Sequence, residues 1–130
     1  MTDLDKRHER GIGAREAIMG ADWTSSAAST PGLAAFTEHA VEHVWSAVWG
    51  DEVLELQQKS LATISALVAL GHLDELRPHA AGALRLGLFE PDQLRAVVLH
   101  LAPYVGYPQA RHAMVLIEDV IVEHQAATGG

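Results

Sequence analysis

The chain predicts an all-α fold of about six helices, and three observations predict it. Ala and Leu dominate the 130 residues while aromatics make up only 5%, a balance that favours helices over a sheet sandwich. Apolar residues recur at three- and four-residue steps, the period of one helix face. No segment sustains the alternation of a half-buried strand. At this length a single domain over 1–130 is expected, with chain enough for one real core.

Residues 3–19 read as a charged helix carrying Glu9, Arg10, Arg15 and Glu16, weakened by Gly11 and Gly13. GADWTSSAAST, residues 20–30, has loop composition, and Trp23 in it looks buried. Thr30-Pro31 then combines a hydroxyl at the N-cap with proline at the first helical position. A helix over about 31–48 places Leu33, Phe36, Ala40, Val44, Ala47 and Val48 on one apolar stripe. Gly50-Asp51 ends it.

A helix over about 54–70 is apolar on most sides after Ser60, which predicts a central position, and Gly71 is its stop. The next runs from near Asp74 to Leu86, with Gly87 as stop and Pro78 early enough to be tolerated. These two form a central antiparallel hairpin turning at Gly71-His72. Glu90-Pro91 opens a fifth helix with Leu94, Val97, Val98 and Leu101 as its stripe, broken by Pro103 and Gly106. Tyr107-Pro108 opens the last, with Met114, Ile117, Val120 and Ile121 apolar. Connections of two to six residues suit antiparallel neighbours.

Composition excludes several function classes. With nine Lys+Arg against 17 Asp+Glu, no basic face is available for nucleic acid. The absence of cysteine removes disulfides, thiolate metal sites and thiol catalysis. The start, MTDLDKRHERGIG, is charged and unlike a secretory signal. The longest apolar run, Leu61 to Leu70, is well short of the roughly 20 residues of a membrane span. A cytoplasmic protein with no membrane partner is expected.

Gln58 and His79 form a polar pair within the most apolar part of the chain. The imidazole of His79 titrates near neutrality and can move a proton, whereas Gln58 can only hydrogen-bond. His100 adds a second imidazole on an apolar helix. His39 and His43 share a helix face beside Glu42, the spacing of a two-histidine metal site. No third ligand is evident, so no metal is expected. Arg15, Arg77 and Arg85 are candidate carboxylate anchors, since guanidinium grips a carboxylate through two parallel hydrogen bonds. Trp45 and Trp49, also four apart, either wall a pocket or pack a core or interface.

Five segments in order, ERGIGAREAIMG, VEHVWSAVWG, the LxLxxxSL pattern at 54–61, HLDELRPHAAGALRLG and PYVGYPQA, resemble the carboxymuconolactone decarboxylase family. The likeness is to the stand-alone decarboxylases rather than the alkylhydroperoxidase-D-like branch, whose CxxC pair is absent here. It implies an all-α fold, assembly as a homo-oligomeric ring (trimer or hexamer), and a cofactor-free decarboxylation of a small unsaturated lactone or carboxylate in aromatic-compound catabolism. His79 matches the family histidine in ELxxH and would be the proton donor. His100 or Gln58 would hydrogen-bond the enolate oxygen, and Arg15 would anchor a carboxylate. One departure stands out: where relatives carry Glu in L-x-L-x-E-R-S, this chain has Gln58. That leaves open a divergent member performing a cofactor-free cyclisation or isomerisation in secondary metabolism, or a non-catalytic ring protein that binds a small ligand.

Overall fold

A computed structural model describes residues 2–21 and 30–129, and every regular element among them is helical. Contacts divide the chain into two compact units, up to Glu55 and from Leu56 onward. Trp23 lies outside the described residues.

In the first unit, helix α1 spans Asp3–Met19. Thr2 caps it: its hydroxyl accepts the Asp5 N–H at 3.1 Å, and the Asp5 carboxylate accepts the Thr2 N–H at 3.1 Å. Helix α2 spans Pro31–Ala40, opening after an extended Thr30. It runs directly into a wider, π-helical winding over Val41–Val48, closed by the Trp49 N–H donating to the Val44 carbonyl at 2.9 Å.

That winding corrects the predicted stripe. Leu33, Phe36, Val44 and Val48 are exposed, and the residues buried instead are Val41 and Trp45, packed with Ile18 and Met19 of α1. A bond from residue i to i+5 adds length to each turn, so positions four apart come closer to eclipsing than in an α-helix. Val41, Trp45 and the half-buried Trp49 therefore share the inner side. Gly11 is less a weakness of α1 than a crossing point. A Cβ there would lie 2.6 Å from the Val41 carbonyl oxygen and 3.1 Å from Ser46 Cβ.

The second unit contains α3 (Leu56–Leu70), α4 (Leu73–Arg85), α5 (Pro91–Val105) and α6 (Tyr107–Thr128). Glycine in the left-handed region ends α3 and α4 as predicted, Gly71 at φ +73 and Gly87 at φ +69. After each, a paired closure satisfies the last carbonyls: His72 N–H to Leu67 O at 3.0 Å with Gly71 N–H to Val68 O at 3.2 Å, and Leu88 N–H to Ala83 O at 2.8 Å with Gly87 N–H to Leu84 O at 3.1 Å. Helices α3 and α6 each pack against both α4 and α5. Ile64, Val68, Leu76, Leu94, Val98, Ile117, Val120 and Ile121 fill the core between them.

Two expectations change here. Helix α3 buries only the stripe Ser60, Ile64, Val68, and Leu61 and Leu70 face outward, so it is not enclosed all round. Pro103 does not break α5, which continues to Val105 and stops at Gly106. Proline at 103 has no N–H to donate to the carbonyl of Leu99, and Leu99 is exposed, so water can donate to that carbonyl instead.

Side chains fasten these helices. Arg95 grips Glu118 through Nε at 2.6 Å and Nη2 at 3.1 Å, joining α5 to α6. Gln109 Nε2 donates to the Val68 carbonyl at 2.9 Å, holding the start of α6 to the end of α3. Among the described residues no helix is long and apolar enough to cross a membrane.

Candidate active site

Burying a polar side chain is costly unless something compensates, so buried polar groups are the first places to seek a site. Among the described residues they are Arg15, Ser60 and His79. Arg15 belongs to the first unit, Ser60 and His79 to the second.

His79 lies on the inner side of α4, among the buried residues Leu76, Pro78, Ala80, Ala83 and Leu84. Only 6% of it is exposed, and burial pushes its pKa down to about 4. The physical cause is desolvation, which penalises imidazolium and leaves imidazole untouched. At neutral pH the ring is therefore neutral. It accepts a proton readily, and donates one only after gaining it. An anion brought close would favour the charged form and push the pKa back up.

Ser60 occupies the inner stripe of α3 with Ile64 and Val68. Sequence reasoning passed over it as a site residue. The available signal was its register, a hydroxyl at the first position of an i, i+4, i+8 set whose other members are apolar.

The two members of the predicted pair differ in burial. His79 is buried, whereas Gln58 sits exposed in the first turn of α3. His100 is also exposed, with its ring centroid 5.8 Å from that of Tyr104 one turn on. Arg77 is half-buried and already engaged, 3.1 Å from Glu123 and 3.9 Å from Asp119, both on α6. Arg85 is exposed in the last turn of α4, where a cation suits the helix dipole.

In the first unit, Arg15 is 6% exposed on the same side of α1 as Gly11, Ile18 and Met19. Burial lowers its pKa, and the neighbouring Glu16 opposes the shift. An arginine remains charged at neutral pH all the same. Trp45 and Trp49 are brought together, stacked at 5.2 Å between centroids and inclined by 27°. His39 and His43 lie at the surface with ring centroids 4.4 Å apart. Among the described residues no three His, Asp or Glu side chains gather as a metal would need.

Chemically, the second unit offers a neutral, water-shielded imidazole, and the first a permanent buried cation and an aromatic pair. Neither alone dictates a reaction. Comparison with known proteins narrows the choice. Residues 33–119 match the model of the carboxymuconolactone decarboxylase family. A 4-carboxymuconolactone decarboxylase of Acinetobacter baylyi is 30% identical over 120 residues, covering 89% of this chain and 87% of its own. A nitrosuccinic acid decarboxylase, npaB, of Metarhizium robertsii is 31% identical over 123 residues, covering 90% of this chain and 85% of its own.

Proposed function

Because the chain belongs to the carboxymuconolactone decarboxylase family, we propose that it is a carboxy-lyase acting without a cofactor on a small unsaturated lactone or carboxylate, with His79 as proton donor. The observation that carries this reading is the imidazole of His79, 6% exposed on the inner side of α4. The names of the two relatives support the reaction class. The matched residues 33–119 extend across both units, which supports treating 1–130 as one functional domain.

The proposed step balances without an external electron acceptor. The bond to the departing carboxylate breaks and carbon dioxide leaves. The electron pair moves through the adjacent double bond into the lactone carbonyl, giving an enolate. A proton then closes the reaction at carbon. His79 meets this need in two stages: the arriving anion raises its pKa so that it takes a proton from solvent, and the enolate receives that proton. Its dry surroundings keep bulk water from the developing charge. Gln58 or His100 hydrogen-bonds the enolate oxygen, a role that amide and imidazole N–H groups can fill.

The remaining parts of the reading concern setting. We place the reaction in the cytoplasmic breakdown of aromatic compounds. We also propose a homo-oligomer, trimer or hexamer, in which a second copy covers outward-facing apolar residues. Leu33, Phe36, Val48 and Leu70 are all more than half exposed, which supports such a contact.

The test is direct. Purified protein is incubated with 4-carboxymuconolactone, and separately with nitrosuccinate, while ultraviolet absorbance and carbon dioxide release are followed. His79→Ala is expected to lower turnover by about 10²–10⁴-fold. An unchanged rate removes His79 from the mechanism. Gln58 in place of the family glutamate favours a second reading, a cofactor-free cyclisation or isomerisation. An absorbance change without carbon dioxide would establish it. A melting shift with organic acids but no turnover would point instead to a ligand-binding ring protein.

A further inference from the structure

We propose that the corner where α5 turns into α6 holds a second ligand site, for a small anion with a short aliphatic chain: the chain lies in an apolar cavity and the anionic head meets Arg111. The cavity belongs to the second unit and measures about 210 Å³. Val98, Leu99 and Ala102 line it from α5, Ala110 and Met114 from α6. Its wall is almost entirely carbon, although Arg111 takes part in it. Arg111 therefore lends its methylene stem, and the guanidinium of this exposed side chain stands at the edge in water.

Size and charge together select the occupant. A volume of about 210 Å³ falls below the roughly 300 Å³ at which drug-sized sites begin. Seven residues line the cavity, whereas a stable protein interface takes roughly 20–30 a side, so a small molecule fits better than a folded partner. Residues 93–117, from the first turn of α5 to the middle of α6, contain none of the chain's 17 Asp and Glu. The carboxylates that bound this stretch, Asp92 and Glu118, both pair with Arg95, at 2.8 and 2.6 Å. Among the described residues Arg77 and Arg95 have carboxylate partners and Arg111 has none. In a chain of net charge -8 this corner is a local exception, and a guanidinium there favours an anion. An aliphatic chain in the cavity would also shield Leu99, which is 67% exposed. Neither His79 nor Gln58 nor His100 lines the cavity, so the site is separate from the decarboxylation chemistry and does not rest on it.

Calorimetric titration of the full chain with butanoate, hexanoate and octanoate, and with hexanamide as a neutral counterpart, separates chain from charge. Affinity should rise about four-fold for each added methylene until the cavity is full. Hexanamide should bind about five-fold more weakly than hexanoate, the worth of a solvent-facing charge pair. Arg111→Met keeps the stem and should reduce hexanoate to the affinity of hexanamide. Leu99→Ser removes part of the wall and should flatten the dependence on chain length. Both residues are exposed, so both variants should fold. His79→Gln should bind as wild type does. No binding by wild type, an affinity indifferent to chain length, or equal hexanoate affinity in wild type and Arg111→Met overturns the proposal. Loss of hexanoate binding in His79→Gln overturns the separation of the two sites. Self-association, or binding to vesicles of anionic phospholipid, that is lost in Leu99→Ser while wild type ignores hexanoate assigns the cavity to another occupant and overturns it as well.

Discussion

The two units handle buried polarity in different ways. From Leu56 onward, four helices enclose a continuous apolar core in which Val68, Leu76, Ala80, Ala113, Ile117 and Val120 are entirely covered. The polar side chains buried there are a hydroxyl and an imidazole that has given up its charge. Among the described residues up to Glu55, the buried apolar set is Ile18, Met19, Val41 and Trp45, and a charged arginine shares the helix face of the first two. A deep core admits a group that can neutralise itself, because a proton is cheaper to lose than an ion is to bury.

The largest effect should come from the deeper core. Ile117→Ala removes a fully covered side chain at the meeting of α6 with its neighbours and should cost about 4 kcal/mol, transfer plus cavity. Met19→Ala, at the end of α1 and 8% exposed, should cost about 1 kcal/mol, since its small cluster can collapse onto the gap. Urea unfolding compares the two. Equal costs would mean that the first unit is packed as tightly as the second, and the contrast would fail.

A slightly smaller effect is expected from pH. His79 has its pKa at about 4 when folded and near 6.5 when unfolded. Between those values the unfolded chain binds a proton that the folded chain refuses, so stability rises with pH through this window. The contribution is complete above about pH 6.5 and is lost as pH falls to about 4, a total of roughly 3 kcal/mol. His79→Gln should flatten that part of the profile while leaving the carboxylate-driven part below it. Parallel curves for the two proteins between pH 7.5 and 4.5 would show that His79 is not held neutral.

The same contrast marks what could be read from residues alone. Helix ends were legible because they are local: Pro31 and Pro91 open helices, and Gly71, Gly87 and Gly106 close them through backbone angles few other residues adopt. Stripes were legible in the second unit, where Leu94, Val98, Ile117, Val120 and Ile121 are buried as their spacing implies. In the first unit the stripe through Phe36 and Val44 was read as apolar, and the structure leaves it exposed. Periodicity records which side is greasy, not whether this chain covers it. The π-helical winding left no mark either, since a choice between i+4 and i+5 bonds is made by packing rather than by residue type. His79 was conspicuous among apolar neighbours. The burial of Arg15 was hidden, because an arginine in a charged helix looks solvated. Ser60 was too small to notice.

The gentlest test lies within α1 and turns on two glycines one half-turn apart. In a helix interior, Ala is favoured over Gly by roughly 0.5–1 kcal/mol. At Gly13 a Cβ would meet nothing within 4 Å, so Gly13→Ala should stabilise the protein by about that amount. At Gly11 the same Cβ would press on the Val41 carbonyl at 2.6 Å, and a backbone oxygen cannot swing aside as a side chain can. Gly11→Ala must push α1 away from the π-helical winding, and should cost about 2 kcal/mol net of its propensity gain. Opposite signs for the two substitutions in chemical denaturation would show that α1 is held by close approach at a single point. If both stabilise, the crossing at Gly11 is loose, and the small core of the first unit is held by Trp45 and its neighbours alone.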